Sequence, residues 1–277
     1  MNTILPFILP AVLLLSCTER IDLPLDESIV KLVVEGEVTT DTTIHTVRLT
    51  ETTGYYYSQE PPVVSGANVS ITDGEAVIYL TEAQPGIYET SAGFHGIEGR
   101  SYTLNIRLSS PIGGFTEFSA TSVMDKMVVL DSVGLDFYPE FAEQGLWEVN
   151  CWLKDSTSTD FYRFDLFRND QLITYKLSKW IVTDDTFFNG GYVDGAAITY
   201  IDQNSDNEKL IKGDTLNVEL KSISREYYSF IREAQAELRG SNPLFSGPGA
   251  NVKGNISNGA IGFFAAFPVS RVKTIVL

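Results

Sequence analysis

Short stretches of alternating apolar and polar residues, separated by turn residues, restrict the fold of this chain more than any other feature. Asn68–Thr72 alternates in this way and reaches Asp73-Gly74, a typical hairpin turn. Tyr102–Leu108 places four apolar side chains on one face, and Phe161–Arg168 continues the pattern in the second half. A period of two predicts strands that are buried on one face. We therefore predict an all-β fold.

The spacing of these strands predicts two β-rich modules. The first is an N-terminal β-sandwich over residues 30–124, and the second covers residues 125–277. One short amphipathic helix is predicted at about 224–238, with Ser224 as its N-cap. Its apolar residues recur at spacings of four, three and four, which forms one stripe: Tyr227, Ile231, Ala234 and Leu238.

The N-terminus resembles a bacterial lipoprotein signal. Residues 4–15 form an apolar run that is too short to span a bilayer, and it ends in Leu14-Leu15-Ser16-Cys17, which resembles a lipobox. No lysine or arginine precedes the run, which departs from the usual basic leader. We predict a signal peptide over 1–16, lipidation of Cys17 and a tether over 17–29, because acyl chains on one cysteine anchor a protein durably.

The charge of the chain limits its partners. It carries 36 acidic and 20 basic residues, for a formal net charge of −16. Such a surface repels phosphate backbones, so we expect no nucleic-acid partner. It also disfavours adhesion to anionic lipid through a basic patch, which leaves the acyl anchor as the predicted membrane attachment.

The two cysteines and two histidines indicate no metal or redox site. If Cys17 is lipidated, Cys151 has no disulfide partner, and its alternation with Val149 predicts a small buried core residue. His45 and His95 lack the spacing of a zinc motif. We therefore expect no cofactor and no metal site built on these side chains.

One acidic loop is a weak candidate for calcium. Asp202, Asn204 and Asp206 offer oxygen ligands at alternate positions, as calcium loops do. An EF-hand would need glycine where Asn207 stands and glutamate where Gly213 stands, so that motif fails. A solvated acidic turn is favoured, and a looser calcium site is the alternative.

No catalytic motif is present. A Gly-x-Ser-x-Gly nucleophile elbow is missing from the chain. Paired carboxylates of a glycoside hydrolase would leave no pattern in an alternating sequence with this many acids. The prediction is therefore a protein that is not an enzyme, with a hydrolase kept as an alternative.

Aromatic clusters are the strongest indication of a binding surface. Large flat rings near loop tips suit sugar stacking or protein contact. The alternative is that the rings fold back over the ends of the sandwiches as part of the core. The candidate residues are Tyr55, Tyr56, Tyr57, Trp152, Phe187 and Phe188.

Several segments in order along the chain carry a family resemblance. They are Lys31–Gly36, Pro62–Ile71, Gly86–Tyr88, Gly240–Phe245 and Asn255–Phe264. On these segments the chain resembles the outer-membrane lipoproteins of domain of unknown function 4249, typical of Bacteroidota. The resemblance implies an outer-membrane location, often beside TonB-dependent transporters, and supplies no catalytic residues.

A second resemblance concerns the N-terminal module alone. Val64–Leu108, with a Gly-Ala-x-Val-x-Ile strand followed by Pro-Gly-x-Tyr, is similar to carboxypeptidase-regulatory or transthyretin-like sandwiches, which are immunoglobulin-like in architecture. This likeness implies a fold and no activity.

Together these observations predict a non-enzymatic accessory lipoprotein of the outer membrane, facing the periplasm or the cell surface. We expect it to dock with a TonB-dependent β-barrel transporter and to aid nutrient capture. The first alternative is an independent surface protein that binds or hydrolyses glycans. The second is a purely structural role in the envelope.

Overall fold

The computed structural model describes residues 29–53, 60–205, 208–239 and 252–277. The predicted signal peptide and its lipidation site Cys17 lie outside these residues, as do Tyr55, Tyr56, Tyr57 and Asp206. Within the described ranges no helix is long and apolar enough to cross a membrane.

The described chain is built from strands and one α-helix. The strands up to residue 123 are β1 (Leu32–Thr39), β2 (Thr46–Glu51), β3 (Asn68–Thr72), β4 (Val77–Tyr79), β5 (Thr81–Gln84), β6 (Ile87–Glu89), β7 (Ser101–Ile112) and β8 (Phe115–Val123). The later elements are β9 (Leu130–Tyr138), β10 (Leu146–Lys154), β11 (Phe161–Arg168), β12 (Gln171–Leu172), β13 (Ile181–Asp184), β14 (Tyr192–Asp202), β15 (Thr215–Ile223), α1 (Arg225–Leu238), β16 (Ile261–Phe267) and β17 (Val269–Ile275).

The first sandwich packs two sheets face to face. One sheet has the strand order β16-β1-β2-β6-β5 and the other has the order β4-β3-β7-β8. Alternate residues of each strand face inward, so Val34 and Val38 of β1 meet Leu104 and Ile106 of β7 in one apolar core. The predicted all-β class is thereby confirmed.

Strand β16 belongs to this first sandwich although it lies near the C-terminus. It pairs with β1 in parallel, with Gly262 opposite Val34. Sheet membership therefore crosses the division that the sequence places near residue 125, because the chain returns to the first sheet after building the second. The boundary between two modules stays a prediction.

The second sandwich has the sheet β14-β10-β9 on one side. Facing it lies the sheet β12-β11-β15-β17, in which β13 also pairs with β11. Val149, Cys151 and Leu153 of β10 face its core. Cys151 is buried as predicted, and burial raises the pKa of its thiol to about 11.

Helix α1 lies between the two sandwiches. It begins after Ser224, whose hydroxyl oxygen accepts a hydrogen bond from the Tyr227 backbone N–H at 3.2 Å. Tyr227 and Ile231 pack against outward-facing residues of β16, including Phe263. The helix and its cap are therefore confirmed.

The apolar stripe of the helix ends earlier than the sequence predicts. Leu238 is 59% exposed, and Gln235 is buried one turn before the end of the helix. Its side-chain amide donates to the backbone carbonyl oxygens of Leu177 and Trp180. A satisfied polar group therefore replaces the last apolar contact of the predicted stripe.

Candidate functional site: a cleft between the two sandwiches

A cleft separates the outer face of β1 from the outer face of β15 and β17. Helix α1 and the segment around residues 175–180 close one side of it. Its volume is about 750 Å³, within the range of small-molecule sites. We call it the inter-sandwich cleft.

Strand alternation places charged side chains at this cleft. Tyr162, Phe164 and Leu166 of β11 face the second core, so the residues between them, Arg163 and Asp165, point to the opposite face. In the pairing of β11 with β15, Arg163 lies opposite Lys221 and Asp165 opposite Glu219. Charges of both signs therefore form a compact patch beneath the cleft.

Arg163 is the centre of this patch. Its Nε and Nη2 donate to the two carboxylate oxygens of Asp165 at 3.0 and 2.9 Å. Lys221 donates to the same carboxylate at 2.5 Å. Trp180 covers the guanidinium, with 3.7 Å between Cζ and the ring centroid. The fork-like contact and the stacking hold the arginine in one orientation.

Glu37 connects the first sandwich to this patch. Its Oε1 accepts from Arg163 Nη1 at 2.7 Å and from the Tyr227 hydroxyl at 2.8 Å. No described residue hydrogen-bonds to its Oε2, and about a third of the side chain is exposed (34%). The carboxylate therefore keeps one acceptor oxygen for a further donor. We call Glu37, Arg163, Asp165, Lys221 and Tyr227 the junction network.

The protonation states follow from these contacts. Burial raises the pKa of Glu37, but the charges of Arg163 and Lys221 and the hydrogen bonds outweigh it and lower the pKa to about 2. Burial would lower the pKa of Arg163, yet Glu37 and Asp165 raise it well above its usual value. Burial and the charge of Glu37 raise the pKa of Tyr227. At neutral pH Glu37 and Arg163 are therefore ionised and paired with each other, and Tyr227 keeps its proton.

A second ion-pair group continues the junction toward solvent. Arg271 of β17 donates through Nη1 and Nη2 to both oxygens of Asp41, at 2.7 and 2.5 Å. Its Nε donates to Glu219 at 2.6 Å. Because Asp41 follows β1 and Arg271 lies in the second sandwich, this group also bridges the two sandwiches.

The walls of the cleft are mainly apolar. Aromatic side chains stand on the helix side at Tyr175, Trp180 and Phe230, and aliphatic residues of the first sandwich face them at Val33 and Ile44. His45 also lines the cleft but is itself buried, and burial lowers its pKa. The combination of apolar walls and a few oriented polar groups is typical of a ligand-binding site.

A separate group of three aspartates lies at the strand ends of the second sandwich. Asp155, Asp160 and Asp185 each offer an oxygen within 4.8 Å of the others. Each already accepts hydrogen bonds: Asp155 from Tyr162 and Gly190, Asp160 from two serines, and Asp185 from the Asp160 backbone N–H. Carboxylates satisfied by the protein itself give no separate indication of a metal.

The aromatic candidates described by the structure do not converge on one site. Phe187 is 95% exposed at a turn, whereas Phe188 is half-buried and stacks on Tyr162, with 6.3 Å between ring centroids. Trp152 lies on the outer face of the three-stranded sheet. None of the three lines the inter-sandwich cleft.

The weak calcium candidate forms a local turn in its described part. The Asp202 side chain accepts from the Asn204 backbone N–H at 2.9 Å and from its side-chain amide at 2.8 Å. Asn204 therefore presents a donor to Asp202, as in an Asx-type turn. Calcium binding there stays a prediction. Neither histidine belongs to a cluster of possible metal ligands among the described residues.

The junction network was missed by the sequence reasoning, although a signal for it exists. Arg163 and Asp165 alternate with core residues on β11, and Glu219 and Lys221 do so on β15. Opposite charges on the outer faces of two strands are compatible with pairing across them. Recognising the network also needed Glu37, which lies 126 residues from Arg163 in the chain.

The fold defines the chain as an all-β protein of two sandwiches. A model of the family described as Domain of unknown function (DUF4249) matches residues 18–273, so the chain belongs to this family. A search of the curated proteins found no match. The family resemblance in the sequence is thereby confirmed, while the transthyretin-like likeness and the bacterial group stay predictions.

Proposed function

We propose that this chain is a lipid-anchored, non-enzymatic binding protein of the outer membrane that holds a nutrient-sized ligand in the inter-sandwich cleft and delivers it to a TonB-dependent transporter. The inter-sandwich cleft is the observation that carries this proposal. It combines a volume of about 750 Å³, apolar walls and a pre-organised ionised floor. Pre-organisation supports binding because less entropy is lost when the ligand arrives.

The chemistry of the cleft suggests the kind of ligand. Tyr175, Trp180 and Phe230 offer an apolar surface, and Glu37 offers a carboxylate oxygen to which no described residue donates a hydrogen bond. A ligand with an apolar body and an amine or other strong donor would satisfy both features. The cations that line the cleft are already paired with carboxylates, which disfavours a carboxylate or phosphate ligand; they are Arg48, Lys221 and Arg271.

The cleft can be tested with two small aromatic probes whose head groups carry opposite charges. Phenethylamine and phenylacetate share an aromatic body, and their binding to the mature protein can be measured by saturation-transfer NMR. We expect binding of phenethylamine alone, and a loss of that binding in Glu37→Gln. The control is Glu117→Gln, which removes the same charge from an exposed position on β8. Equal binding of both probes would contradict the proposed ligand class.

The transporter partner requires a separate experiment. Tagged protein is isolated from native outer membranes in mild detergent, with Cys17→Ala as the unanchored control. A stoichiometric β-barrel transporter that disappears in the control is the expected result. A clean preparation without a partner would refute the accessory role and favour an independent surface binder.

A further inference from the structure

The outer face of the three-stranded sheet carries aromatic rings and hydrogen-bonding groups on the same side. Pairing places Trp152 of β10 opposite Ser132 of β9 and Asp194 of β14. Two residues earlier Asn150 lies opposite Gly134, and two residues before that Glu148 lies opposite Asp136 and Tyr200. Tyr138 and Tyr192 lie at the two ends of the face. We call this surface the aromatic face.

Trp152 is seated on the backbone of the neighbouring strands. A Cβ atom added at Gly134 would stand 2.9 Å from the indole, and one added at Gly195 would also stand 2.9 Å from it. Only glycine at these two positions lets the ring lie against the sheet. The indole N–H donates to Asp194 at 2.8 Å, which holds the ring in that position.

Polar groups on the face are oriented by the same kind of contact. The Asn150 amide donates to Asp136 at 2.8 Å, and its own carbonyl oxygen is buried without a partner among the described residues. The hydrogen bond of the Tyr200 hydroxyl with Glu148 and, after it, the charge of Glu148 raise the pKa of that tyrosine. Each of the three carboxylates is therefore held by a neutral donor of the face itself.

The rings remain accessible to a ligand. Tyr200 is 58% exposed and Tyr192 is 54% exposed. Tyr200 lies opposite Glu148, and from Glu148 to Trp152 the strand advances roughly 13 Å. The rings of Tyr200 and Trp152 are therefore separated by more than the width of one ring of a ligand. A flat, extended molecule fits this spacing better than a compact one.

The charge of the face narrows the class of ligand. Among the described residues of this face, the four carboxylates of Asp131, Asp136, Glu148 and Asp194 accompany one cation, Lys154, so sulfated or uronic-acid polymers are repelled. Neutral donors already engage Asp136, Glu148 and Asp194, which suits directional acceptance from hydroxyl groups more than pairing with a free cation. Flat rings offer faces on which sugar rings can stack. We propose that the aromatic face is a binding site for a neutral oligosaccharide chain.

The test uses the mature full-length protein in a zwitterionic detergent, since maltoside detergents would compete as sugars. The probes are cellohexaose, laminarihexaose, maltohexaose and xylohexaose, with deca-arginine as a cationic peptide, each titrated by calorimetry and tryptophan fluorescence. We expect at least one hexasaccharide to bind, and its disaccharide to bind more weakly. Trp152→Ala should weaken binding about tenfold or more.

Two further variants separate recognition from folding. Tyr200→Ala removes a mostly exposed ring, so it should preserve the melting temperature while weakening binding about three- to tenfold. Tyr79→Ala removes a ring that is 69% exposed on β4 of the first sandwich and should change nothing. Glu37→Gln should also leave saccharide binding intact, because Glu37 belongs to the cleft.

The same titrations can overturn the proposal. It fails if no hexasaccharide binds, or if Trp152→Ala and Tyr200→Ala both bind as tightly as the unmodified protein. Binding of deca-arginine alone, lost in Trp152→Ala, would instead assign the face to a basic protein segment.

Discussion

Two groups of carboxylates, one where the two sandwiches meet and one at the strand ends of the second sandwich, differ in what surrounds them. In the junction network, Arg163 and Lys221 accompany Glu37 and Asp165, and the group joins the two sandwiches. In the aspartate group, Asp155 and Asp185 are buried with Asp160 beside them, and hydroxyl and backbone N–H groups are the donors. The cost of burying carboxylates is thus offset by cations in one region and by neutral hydrogen-bond donors in the other.

The two regions contribute to the structure in different ways. A charge-balanced network that spans two sandwiches fixes their relative position, because removing one member leaves the others buried and unpaired. The aspartate group connects strand ends within a single sandwich and contributes through local hydrogen bonds. The junction network is therefore the region on which the shape of the cleft depends.

The largest expected effect is on the central arginine. Arg163→Ala should lower the free energy of unfolding by about 3–5 kcal/mol, because Glu37 and Asp165 would lose their shared cation. Urea denaturation measures this loss of unfolding free energy. The control is Arg107→Ala, whose ion pair with Glu117 is exposed and should contribute less than about 1 kcal/mol. Equal losses in the two variants would remove the distinction between a buried and an exposed ion pair.

A substitution in the aspartate group should lower the free energy of unfolding less, because it removes a single hydrogen bond. Tyr162→Phe removes the hydroxyl that donates to Asp155, and the expected loss is about 1–3 kcal/mol. Adding Asp155→Asn should recover part of that loss, since the unsatisfied group would then be neutral. Tyr79→Phe, on an exposed side chain, is the control and should be neutral. If Tyr162→Phe loses no more unfolding free energy than Tyr79→Phe, the buried hydrogen bond contributes nothing to stability.

The pH dependence of the two groups should have opposite signs. The pKa of Glu37 is lowered to about 2, so its stabilisation is complete above the ordinary carboxyl pKa and disappears as pH falls toward 2. Burial raises the pKa of Asp155, so its contribution is most favourable at low pH and is lost as pH rises through its folded pKa.

Denaturation of two variants at pH 3 and pH 7 measures this difference. Glu37→Gln should lose about 1–2 kcal/mol at pH 7, a value reduced by partial exposure of the carboxylate, and less at pH 3. The stability of Asp155→Asn relative to that of the unmodified protein should increase as pH rises. If the relative stability of both variants changes in the same direction between pH 3 and pH 7, the predicted difference between Glu37 and Asp155 is wrong.

The smallest expected effect concerns the helix that carries Tyr227 into the junction network. Ser224→Ala removes the N-cap and should cost about 1 kcal/mol. Ser229→Ala makes the same substitution at an exposed position inside the helix and should be neutral or slightly stabilising. A similar loss in both variants would show that the cap does not support the network.

Much of the fold was predictable because its signals are local. Alternation in Tyr102–Leu108 and Phe161–Arg168 predicts buried strands, and both lie in strands with the expected core faces. Ser224 predicts the start of the helix because capping depends on neighbouring residues alone. Leu238 shows the limit of such reasoning: its spacing fits the stripe, but nothing covers it at the end of the helix.

The candidate site could be predicted only in part. Trp152 was predicted as a candidate binding residue because it is aromatic, yet its support by Gly134 and Gly195 depends on the register of two other strands. The parallel pairing of β16 with β1 gave no signal, because the paired residues Val34 and Gly262 lie far apart in the chain.

Periodicity and turn chemistry were sufficient to predict the all-β class, the helix and the buried Cys151, while the anchor indicated by the lipobox-like segment stays a prediction. Each depends on composition or on residues close together in the chain. The inter-sandwich cleft, the junction network and the aromatic face depend on contacts between distant strands. Those contacts follow from how the sheets pack and register, so the chemistry of Glu37 and Trp152 emerges when the chain has folded.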